Sequence, residues 1–277
     1  MQQSDTVLDA GARIALCVEY CGRDYHGWQR QSGTGLTVQG VLEAALSEIA
    51  HADVTVACAG RTDARVHATG QVVSFESASP RSLKAWYLGT NSILPRTVRV
   101  RWAEAVPSEF HARFSALSRR YRYIWHTAPT PSTSLIGQVT WLRDHLDVSA
   151  MHSAAQALVG EQDFSAFQAA SCQSPTPFRN VSSVSVSQMG QFTVLEITAN
   201  AFLHHMVRNI AGSLTEVGKR AQKIDWIREL LLGRDRTQAA ATAVSDGLYL
   251  VEVRYPDHYG LPRVDIGPAF LPSESHT

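Results

Sequence analysis

The chain has 277 residues, of which 44% are hydrophobic and 18% are charged. This length and composition predict one large globular domain or two small ones, and they exclude disorder as the dominant state. No apolar run approaches the ~20 residues of a membrane-spanning helix. The N-terminus has no basic cluster, which argues against a signal peptide. Four cysteines without a C-x-x-C pair favour a reduced, cytoplasmic protein.

The 25 basic and 25 acidic side chains cancel in total, but they are unevenly distributed along the chain. Residues 96–123 hold seven arginines against Glu104 and Glu109, a local charge of +5. Of the 25 basic residues 22 are arginine, whose guanidinium suits bidentate phosphate contacts and stacking. A genome that favours arginine codons would give the same excess. The neutral total therefore excludes no nucleic-acid partner, and the arginine content alone identifies none.

In the N-terminal half, strand and helix patterns alternate. Ile14 to Tyr20 alternates as a half-buried strand, and the loop 27–35, rich in glycine and glutamine, follows it. Thr37 is the predicted N-cap of a helix whose apolar residues recur at helical spacing from Val38 to Ile49. The other predicted elements are a strand at Val54–Cys58, a strand at Gln71–Glu76, a helix at Leu83–Leu88 and a strand at Val98–Trp102.

The C-terminal half repeats this order of elements. Asp147 is the predicted cap of a helix that ends at Gly160, and two prolines make 171–180 a predicted loop. Its other predicted elements are a strand at Tyr121–Trp125, a hairpin of Val181–Val186 and Phe192–Ala199, a helix with the stripe Phe202 to Val217, a helix at Trp226–Leu232 and a strand at Leu248–Tyr255. We therefore expect an α+β fold of two similar modules, with largely antiparallel sheets and helices on one face.

Two glycine patterns fall short of nucleotide-binding motifs. Gly212 to Lys219 is similar to a P-loop, but five residues separate its glycines, and Arg220 stands where Ser or Thr would hold magnesium. In the dinucleotide-like pattern that starts at Gly33, the third glycine comes two places late. The chain also has no H-E-x-x-H and no spaced Cys/His quartet, so we expect no metal site.

The densest polar cluster is GRTDARVH at 60–67, which follows a predicted strand. A carboxylate between two arginines, as Asp63 is between Arg61 and Arg65, tends to stay ionised and can act as a nucleophile or a base. A salt bridge confined to a turn would give the same pattern, and on spacing alone it is the more common outcome. His67 has the character of a hydrogen-bonded loop histidine.

Two other segments combine basic and aromatic side chains. In RRYRY at 119–123, strand alternation places the two tyrosines on one face and Arg120 and Arg122 on the other. The tyrosine face suits stacking on an RNA base as well as core packing. On the predicted helix, His204 and Arg208 lie one turn apart, where a solvated polar face is the simpler interpretation.

Residues 58–76 (CAGRTDARVHATGQVVSFE) resemble the signature segment of the tRNA pseudouridine synthase A, or TruA, family. The similarity covers roughly residues 13–260. Because several segments occur in the right order, it is far more specific than a lone G-R-T-D. The other matching segments are YCGRDYHGWQRQ at 20–31, FHARFSA at 110–116, RRYRYI at 119–124, FLHHMVRNIAGSL at 202–214 and GLYLVEV at 247–253.

The resemblance implies two fused RRM-like or ferredoxin-like modules with the active cleft between them. The N-terminal module would span 11–110 and carry the catalytic aspartate, the C-terminal module would span 111–263, and 1–10 and 264–277 would be tails. It further implies a homodimer that isomerises uridine to pseudouridine at positions 38, 39 and 40 of the tRNA anticodon arm. The family uses neither a metal nor an organic cofactor.

By the same resemblance, Asp63 is the catalytic aspartate, with Arg61 and Tyr121 as further active-site residues and Arg208 as the basic residue that pairs with the carboxylate. Tyr121 and Leu248 would bind the substrate base. The tRNA-binding residues would be Arg61 and Arg65, the segment Phe110, His111, Ala112, Arg113 and Phe114, and the loop Ser171, Cys172, Gln173, Ser174 and Pro175.

The reaction is redox-neutral, because the N1–C1′ bond breaks and a C5–C1′ bond forms. It requires a uridine taken out of its stack and one ionised carboxylate. Whether Asp63 adds to the base, adds to the sugar or abstracts a sugar proton stays open. One rival function is a non-catalytic tRNA-binding protein. The other, a glycosidase-like hydrolase, needs a second carboxylate about 5–10 Å away, and the nearest in sequence are Asp53 and Glu76.

One position departs from the family pattern G-R-T-D-A-G-V-H, since Arg65 stands where the second glycine is usual. At a positive φ, arginine would cost about 1 kcal/mol or more and could shift the catalytic loop. At a negative φ it would be harmless and could add a phosphate contact. We expect the negative φ.

Overall fold

The computed structural model describes residues 5–31, 33 and 35–272. The outer parts of both predicted tails (1–4 and 273–277) and two positions of the predicted loop (32 and 34) lie outside the described residues. The chain divides into two compact units. Unit 1 comprises Met1–Leu117 and Leu250–Gly267, and unit 2 comprises Ser118–Tyr249 and Pro268–Thr277. This division counts 250–263 with unit 1, whereas the sequence-based boundaries place that stretch in the C-terminal module.

Unit 1 combines a mostly antiparallel sheet with helical segments. Its sheet has the strand order β6–β2–β4–β12, with the short β3 also paired to β4, while β1 and β5 form a separate two-stranded sheet. The elements are β1 (Val7–Leu8), β2 (Arg13–Tyr20), α1 (Val38–Ala50), β3 (Ala57–Cys58), β4 (His67–Glu76), β5 (Arg81–Ser82), a π-helical turn (Ala85–Gly89) that continues into α2 (Thr90–Ile93), β6 (Val98–Val106) and β12 (Leu248–Arg254). The side chain of Thr37 caps α1, as predicted, by accepting the N–H of Gly40.

Strand β2 is buried on both faces, so the prediction of a half-buried strand is wrong. Ile14 and Leu16 on one face and Ala15 and Cys17 on the other are all at most 1% exposed. The second face belongs to an apolar cluster with Val72, Trp102 and Phe110, and the segment after β12 packs on that cluster through Tyr255, Tyr259, Leu261 and Val264. Alternation in the strand itself does not reveal this cover, because it comes from residues far along the chain.

The predicted strand at Val54–Cys58 is shortened to Ala57–Cys58. Side chains of α1 take the backbone donors of the first part: Ser47 accepts the N–H of Val54, and Glu43 accepts the N–H of Val56. These donors are therefore not used in the sheet. β4 begins at His67, four residues before the predicted start.

The strands of unit 2 are hydrogen-bonded in the order β7–β11–β10–β9, with β8 paired to β7 in parallel and the other pairs antiparallel. Its elements are β7 (Ser118–Thr127), β8 (Thr140–Leu142), α3 (Val148–Ala155), β9 (Gly160–Asp163), β10 (Phe178–Met189), β11 (Phe192–Ala199), α4 (Met206–Gly218) and α5 (Trp226–Gly233). The α+β class and the largely antiparallel pairing are confirmed. Asp147 caps α3, with its Oδ1 3.0 Å from the N–H of Ala150.

Two predicted boundaries in unit 2 are wrong. β10 begins at Phe178, so the loop ends before residue 180. α4 begins at Met206 instead of Phe202, because His205 has a left-handed backbone with φ of 61°. His204 precedes the helix, so it does not share a helix face with Arg208. Among the described residues, no helix has the length and hydropathy needed to cross a bilayer.

Candidate active site

The polar cluster at 60–67, which we call the Asp63 turn, connects β3 to β4. At its base, Ala59 donates its N–H to the carbonyl of Val72 at 2.8 Å. The fully buried side chain of Gln71 then bonds both backbone groups of Gly60, donating to its carbonyl at 2.6 Å and accepting its N–H at 3.3 Å. This amide closes the base of the turn, so the backbone that enters it is fixed.

The tip of the Asp63 turn is a tight reversal in which Val66 donates its N–H to the carbonyl of Asp63 at 3.2 Å. Arg65 has a φ of 68°, so the expectation of a negative φ is wrong. A positive φ at this position is what a type II turn requires, and it is the reason that glycine is favoured there. Arginine adopts it at a cost of about 1–2 kcal/mol.

The stretch 20–28 holds the turn from the other side. Thr62 bonds the hydroxyl of Tyr20 at 2.7 Å through its own hydroxyl, and its carbonyl accepts the N–H of Trp28 at 3.0 Å. The carbonyl of Tyr25 accepts the N–H of Arg65 at 3.2 Å. Gly22 lies so close that a Cβ there would be 1.9 Å from the carbonyl oxygen of Val66. The backbone beside Asp63 is therefore held by two separate segments.

The side chains of the turn differ in exposure. Arg61 and Arg65 are exposed, and Asp63 is half-buried. His67 is buried and accepts the N–H of Gly22 at 3.1 Å. It is hydrogen-bonded as predicted, but it is the first residue of β4 and not a loop residue. Burial raises the pKa of the Cys58 thiol to about 11, against the opposing effect of Arg61. At neutral pH this thiol is protonated, so it is not a ready nucleophile beside the turn.

The predicted tRNA-binding segment 110–114 divides into core and surface residues. Phe110 and Ala112 are at most 1% exposed. The Phe110 ring packs 5.0 Å from the rings of Tyr255 and Tyr259, and the carbonyl of Ala112 accepts the hydroxyl of Tyr255 at 2.6 Å. These two residues anchor the segment through packing, so their side chains are not accessible to a partner.

The other members of the segment form a surface cluster in which Arg113 and Phe114 are exposed and His111 is half-buried. Phe114 is 76% exposed, with the guanidinium of Arg113 5.6 Å from its ring centroid and the ring of His111 4.4 Å away. His111 Nδ1 accepts the backbone N–H of Arg113 at 3.1 Å, which keeps the segment in a turn. A cation beside an exposed aromatic ring suits contact with a phosphate and a base together.

In unit 2, the two faces of β7 are as alternation predicts. Tyr121 is 8% exposed and meets Phe202 edge to face, with ring centroids 4.9 Å apart. On the opposite face, Arg120 and Arg122 both bond the carboxylate of Glu196, at 3.2 and 2.8 Å. Two arginines of the basic stretch 96–123 therefore form ion pairs with a carboxylate of unit 2.

The loop 171–175 meets the turn before α4. The hydroxyl of Ser171 lies 3.1 Å from Nδ1 of His204. The backbone N–H of His204 donates to the sulfur of Cys172, with 3.4 Å between nitrogen and sulfur. Partial burial raises the pKa of the Cys172 thiol, but the backbone N–H bonds from His204 and Ser174, a side-chain bond with Gln168 and the charge of Arg179 together outweigh it, so the pKa is lowered. Sequence reasoning considered the loop and His204 separately, because no spacing rule connects them.

Arg208 lies in the first turn of α4. Its Nε donates to the carbonyl of Ala243 at 2.8 Å, and its own carbonyl accepts the N–H of Ala243 at 3.1 Å. These two hydrogen bonds fix the backbone and the Nε atom of Arg208. Leu248, the first residue of β12, is 6% exposed.

The model of the family described as "tRNA pseudouridine synthase" matches residues 16–115 and 154–256. The chain belongs to this family. The resemblance seen in its motifs is thereby confirmed. The chain is 55% identical over 259 residues to "tRNA pseudouridine synthase A" of Shigella boydii serotype 4 (strain Sb227). This match covers 94% of the chain and 96% of the relative. The identity to the protein of the same name from Escherichia coli (strain SMS-3-5 / SECEC) is 54%, with the same coverage.

Among solved structures, a chain from "Crystal Structure of a Cbf5-Nop10-Gar1 Complex" matches at a TM-score of 0.35 and 13% identity, over 86% of this chain and 48% of that chain. The family match is much stronger. Its two ranges include the Asp63 turn, the segment 110–114, the loop 171–175 and Arg208, whereas Tyr121 lies in the interval between them.

Sequence reasoning missed the residues that hold the turn in place. Gln71, Tyr20 and Trp28 are buried, and in a sequence pattern they are ordinary strand or loop residues. The only local signal is the pair of glycines at 22 and 27. Gly27 has a φ of 93°, and a Cβ on it would lie 2.9 Å from the carbonyl oxygen of Thr62.

Proposed function

We propose that this protein is a tRNA pseudouridine synthase, an isomerase that converts uridine to pseudouridine in tRNA. The observation that carries the proposal is the 55% identity over 94% of the chain to a relative named tRNA pseudouridine synthase A. The names of these relatives favour an enzyme over a non-catalytic tRNA-binding protein. The proposal extends to uridines 38, 39 and 40 of the anticodon arm, to a homodimer and to the cytoplasm.

Asp63 is the proposed catalytic carboxylate. During the reaction the glycosidic N1–C1′ bond breaks, C5 bonds to C1′, the proton on C5 leaves and N1 gains a proton. The backbone of the turn is held by Gln71 from one side and by Thr62 and its partners from the other, which suits a group that must meet a reacting carbon in one geometry. Arg61, which is exposed two residues before Asp63, is proposed as a further active-site residue.

Tyr121 and Leu248 are the proposed contacts of the flipped base. The edge-to-face contact with Phe202 sets the orientation of the Tyr121 ring, and an aromatic ring of fixed orientation is a good stacking partner for an extruded base. Arg208 is the proposed partner of the carboxylate. Its Nε bond to Ala243 orients the guanidinium, and a guanidinium carries five N–H donors, so further bonds to a carboxylate are compatible with this contact.

The proposed tRNA contacts are of three kinds. Arg61 and Arg65 lie on the Asp63 turn, and the cluster of His111, Arg113 and Phe114 lies on an exposed turn of unit 1. The third is the loop of unit 2 with Ser171, Cys172, Gln173, Ser174 and Pro175. The buried Phe110 and Ala112 would act by anchoring their segment. Phosphate contacts of this kind predict an affinity for tRNA that falls steeply as salt rises.

The test is Asp63→Asn, assayed on an anticodon-arm transcript with uridine at positions 38, 39 and 40. Replacing the carboxylate by a neutral amide of the same shape is expected to lower the rate by about 10³-fold or more, while the Kd for tRNA stays within about twofold. Asp53→Asn is the matched control, because it changes a nearby aspartate outside the turn, and it should keep the full rate. Undiminished conversion by Asp63→Asn would overturn the assignment.

A further inference from the structure

A buried carboxylate on α1 connects the two segments that lead to the Asp63 turn. Glu43 is 3% exposed. Its Oε1 accepts the N–H of Val56 at 3.1 Å and the side-chain amide of Gln39 at 2.9 Å, and its Oε2 lies 3.4 Å from the guanidinium of Arg30. Buried carboxylates are rare unless paired. Here the partners come from the helix itself, from the loop 27–31 and from the approach to β3.

The loop 27–31 is docked on the first turn of α1. The carbonyl oxygens of Gly27 and Trp28 accept the N–H groups of Val38 at 3.2 Å and of Gln39 at 3.0 Å. These are N–H groups that a helix cannot satisfy internally. The side chain of Gln39 then accepts the N–H of Arg30 at 3.0 Å. Gln39 therefore bonds the loop with its oxygen and Glu43 with its nitrogen.

From this loop the contacts lead directly to the Asp63 turn. The N–H of Trp28, a side chain only 1% exposed, bonds the carbonyl of Thr62, the residue before Asp63. The other approach runs from Val56 through β3 into Gly60. Glu43 thus holds both the chain that enters the turn and the loop that packs against it.

We propose that Glu43 and Gln39 are positioning residues for Asp63. The inference rests on the proposed function, because it concerns the same reaction. Neither side chain is placed to touch substrate, since both are buried beside α1; they act by fixing the backbone at Thr62. A displacement of about 1 Å in a reacting group can lower a rate by about 100-fold.

Hydrogen bonds matter more than charge in this network. The Arg30 side chain is 66% exposed, and solvent screens its attraction to Glu43. A cavity of about 370 Å³ lined by Arg30, Glu43 and Asp53 opens beside the pair. Glu43→Gln keeps an oxygen that can accept the N–H of Val56, so it should rescue most of what Glu43→Ala loses.

The experiment compares Glu43→Ala, Glu43→Gln and Gln39→Ala with Glu48→Gln, which removes an exposed carboxylate from the same helix. Three quantities are measured on the full chain: kcat and KM with tRNA, the Kd for tRNA, and hydrogen exchange of the amides of Arg65 and Val66. For Glu43→Ala we expect kcat to fall about 10- to 100-fold with Kd within about twofold, and both amides to exchange faster. Glu43→Gln should stay within about fivefold of the wild-type kcat, and Glu48→Gln should match the wild type.

The inference is overturned if folded Glu43→Ala keeps the wild-type kcat and the wild-type protection of the turn. It is also overturned if that variant melts earlier but keeps its kcat, because that result shows a structural role alone. Where Glu43→Ala does not fold, Gln39→Ala takes its place against Glu48→Gln, because it removes the side-chain bonds to Arg30 and Glu43; an unchanged kcat and unchanged protection of the turn in that variant then overturn the inference. If the wild type forms no pseudouridine, the proposed function fails, and hydrogen exchange still decides whether Glu43 holds the turn.

Discussion

Arginines flank the proposed functional residue both in the Asp63 turn and in strand β7, and the two regions use them in opposite ways. In the turn, Arg61 and Arg65 are exposed beside a half-buried carboxylate. In β7, Arg120 and Arg122 share the carboxylate of Glu196 inside unit 2. The first pair is exposed on the surface of a turn, and the second pair neutralises a carboxylate within unit 2.

The difference comes from the backbone of each region. A strand directs alternate side chains to opposite faces, and the residue opposite Arg122 across the β7–β11 pair is Glu196. A cross-strand neighbour of opposite charge stabilises such a pair. The tight turn directs its arginines outward instead. A count of arginines therefore overstates the basic surface of the stretch 96–123, in which Arg101 is also paired, with Glu19 at 2.7 Å.

The sharpest way to break the turn without touching its charges is Gly22→Ala. An added Cβ would lie 1.9 Å from the carbonyl oxygen of Val66, so the turn or the stretch 20–28 must move. We expect the rate of pseudouridine formation to fall by about 100-fold and the free energy of unfolding to fall by about 1–3 kcal/mol. Kinetics on the tRNA transcript and chemical denaturation measure the two effects.

Gly233→Ala is the matched control for Gly22→Ala. Gly233 ends α5, and a Cβ built there meets no atom of the described residues within 4 Å. The same substitution in open space should leave the rate unchanged and leave the stability equal or slightly higher. If Gly22→Ala behaved like Gly233→Ala, the close approach at Val66 would have no functional meaning.

The β7 arginines are tested by Glu196→Gln. The Arg122 side chain is only 6% exposed, so it would lose its carboxylate partner while remaining buried. We expect the free energy of unfolding to fall by about 2 kcal/mol, with the rate per folded molecule unchanged. Glu229→Gln, which breaks an exposed pair with Lys223, should change stability by less than about 0.5 kcal/mol. A loss of tRNA affinity in Glu196→Gln would contradict the structural role assigned to this pair.

The sequence predicted elements well where a local pattern decides them. The helix begun by Thr37 and the cap at Asp147 depend on local rules and were found. The second buried face of β2 was not predicted, because it depends on residues far along the chain. The start of α4 was not predicted either, because it depends on the left-handed backbone of His205. For the site, the motif identified Asp63. The residues that hold it, such as Gln71 and Tyr20, were not identified, because no spacing rule predicts hydrogen bonds between a strand side chain and a distant turn.

The surface cluster of His111, Arg113 and Phe114 in unit 1 provides a test of arginine and aromatic side chains at the surface. Phe114→Ala should weaken tRNA binding by about tenfold, because a stacked base contributes about 1–3 kcal/mol. Arg113→Ala should lower the slope of log K against log salt by about 0.9, the value for one phosphate contact. Leu88→Ala, at another exposed apolar side chain of unit 1, is the control and should do neither. Unchanged affinity in both test variants would remove this cluster from the tRNA-binding surface.

The smallest expected effect is the most specific to this chain. Arg65→Gly removes both the strain of a φ of 68° and a positive charge, and these two effects separate by measurement. The free energy of unfolding should rise by about 1 kcal/mol, whereas tRNA affinity should fall with a salt slope smaller by about 0.9. Arg65→Asn, which tolerates the left-handed backbone, should show the same slope, and Arg65→Lys should keep the original one. If Arg65→Gly gained stability without losing any affinity, the arginine would carry strain with no compensating contact, and at position 65 only the backbone conformation would then matter for function.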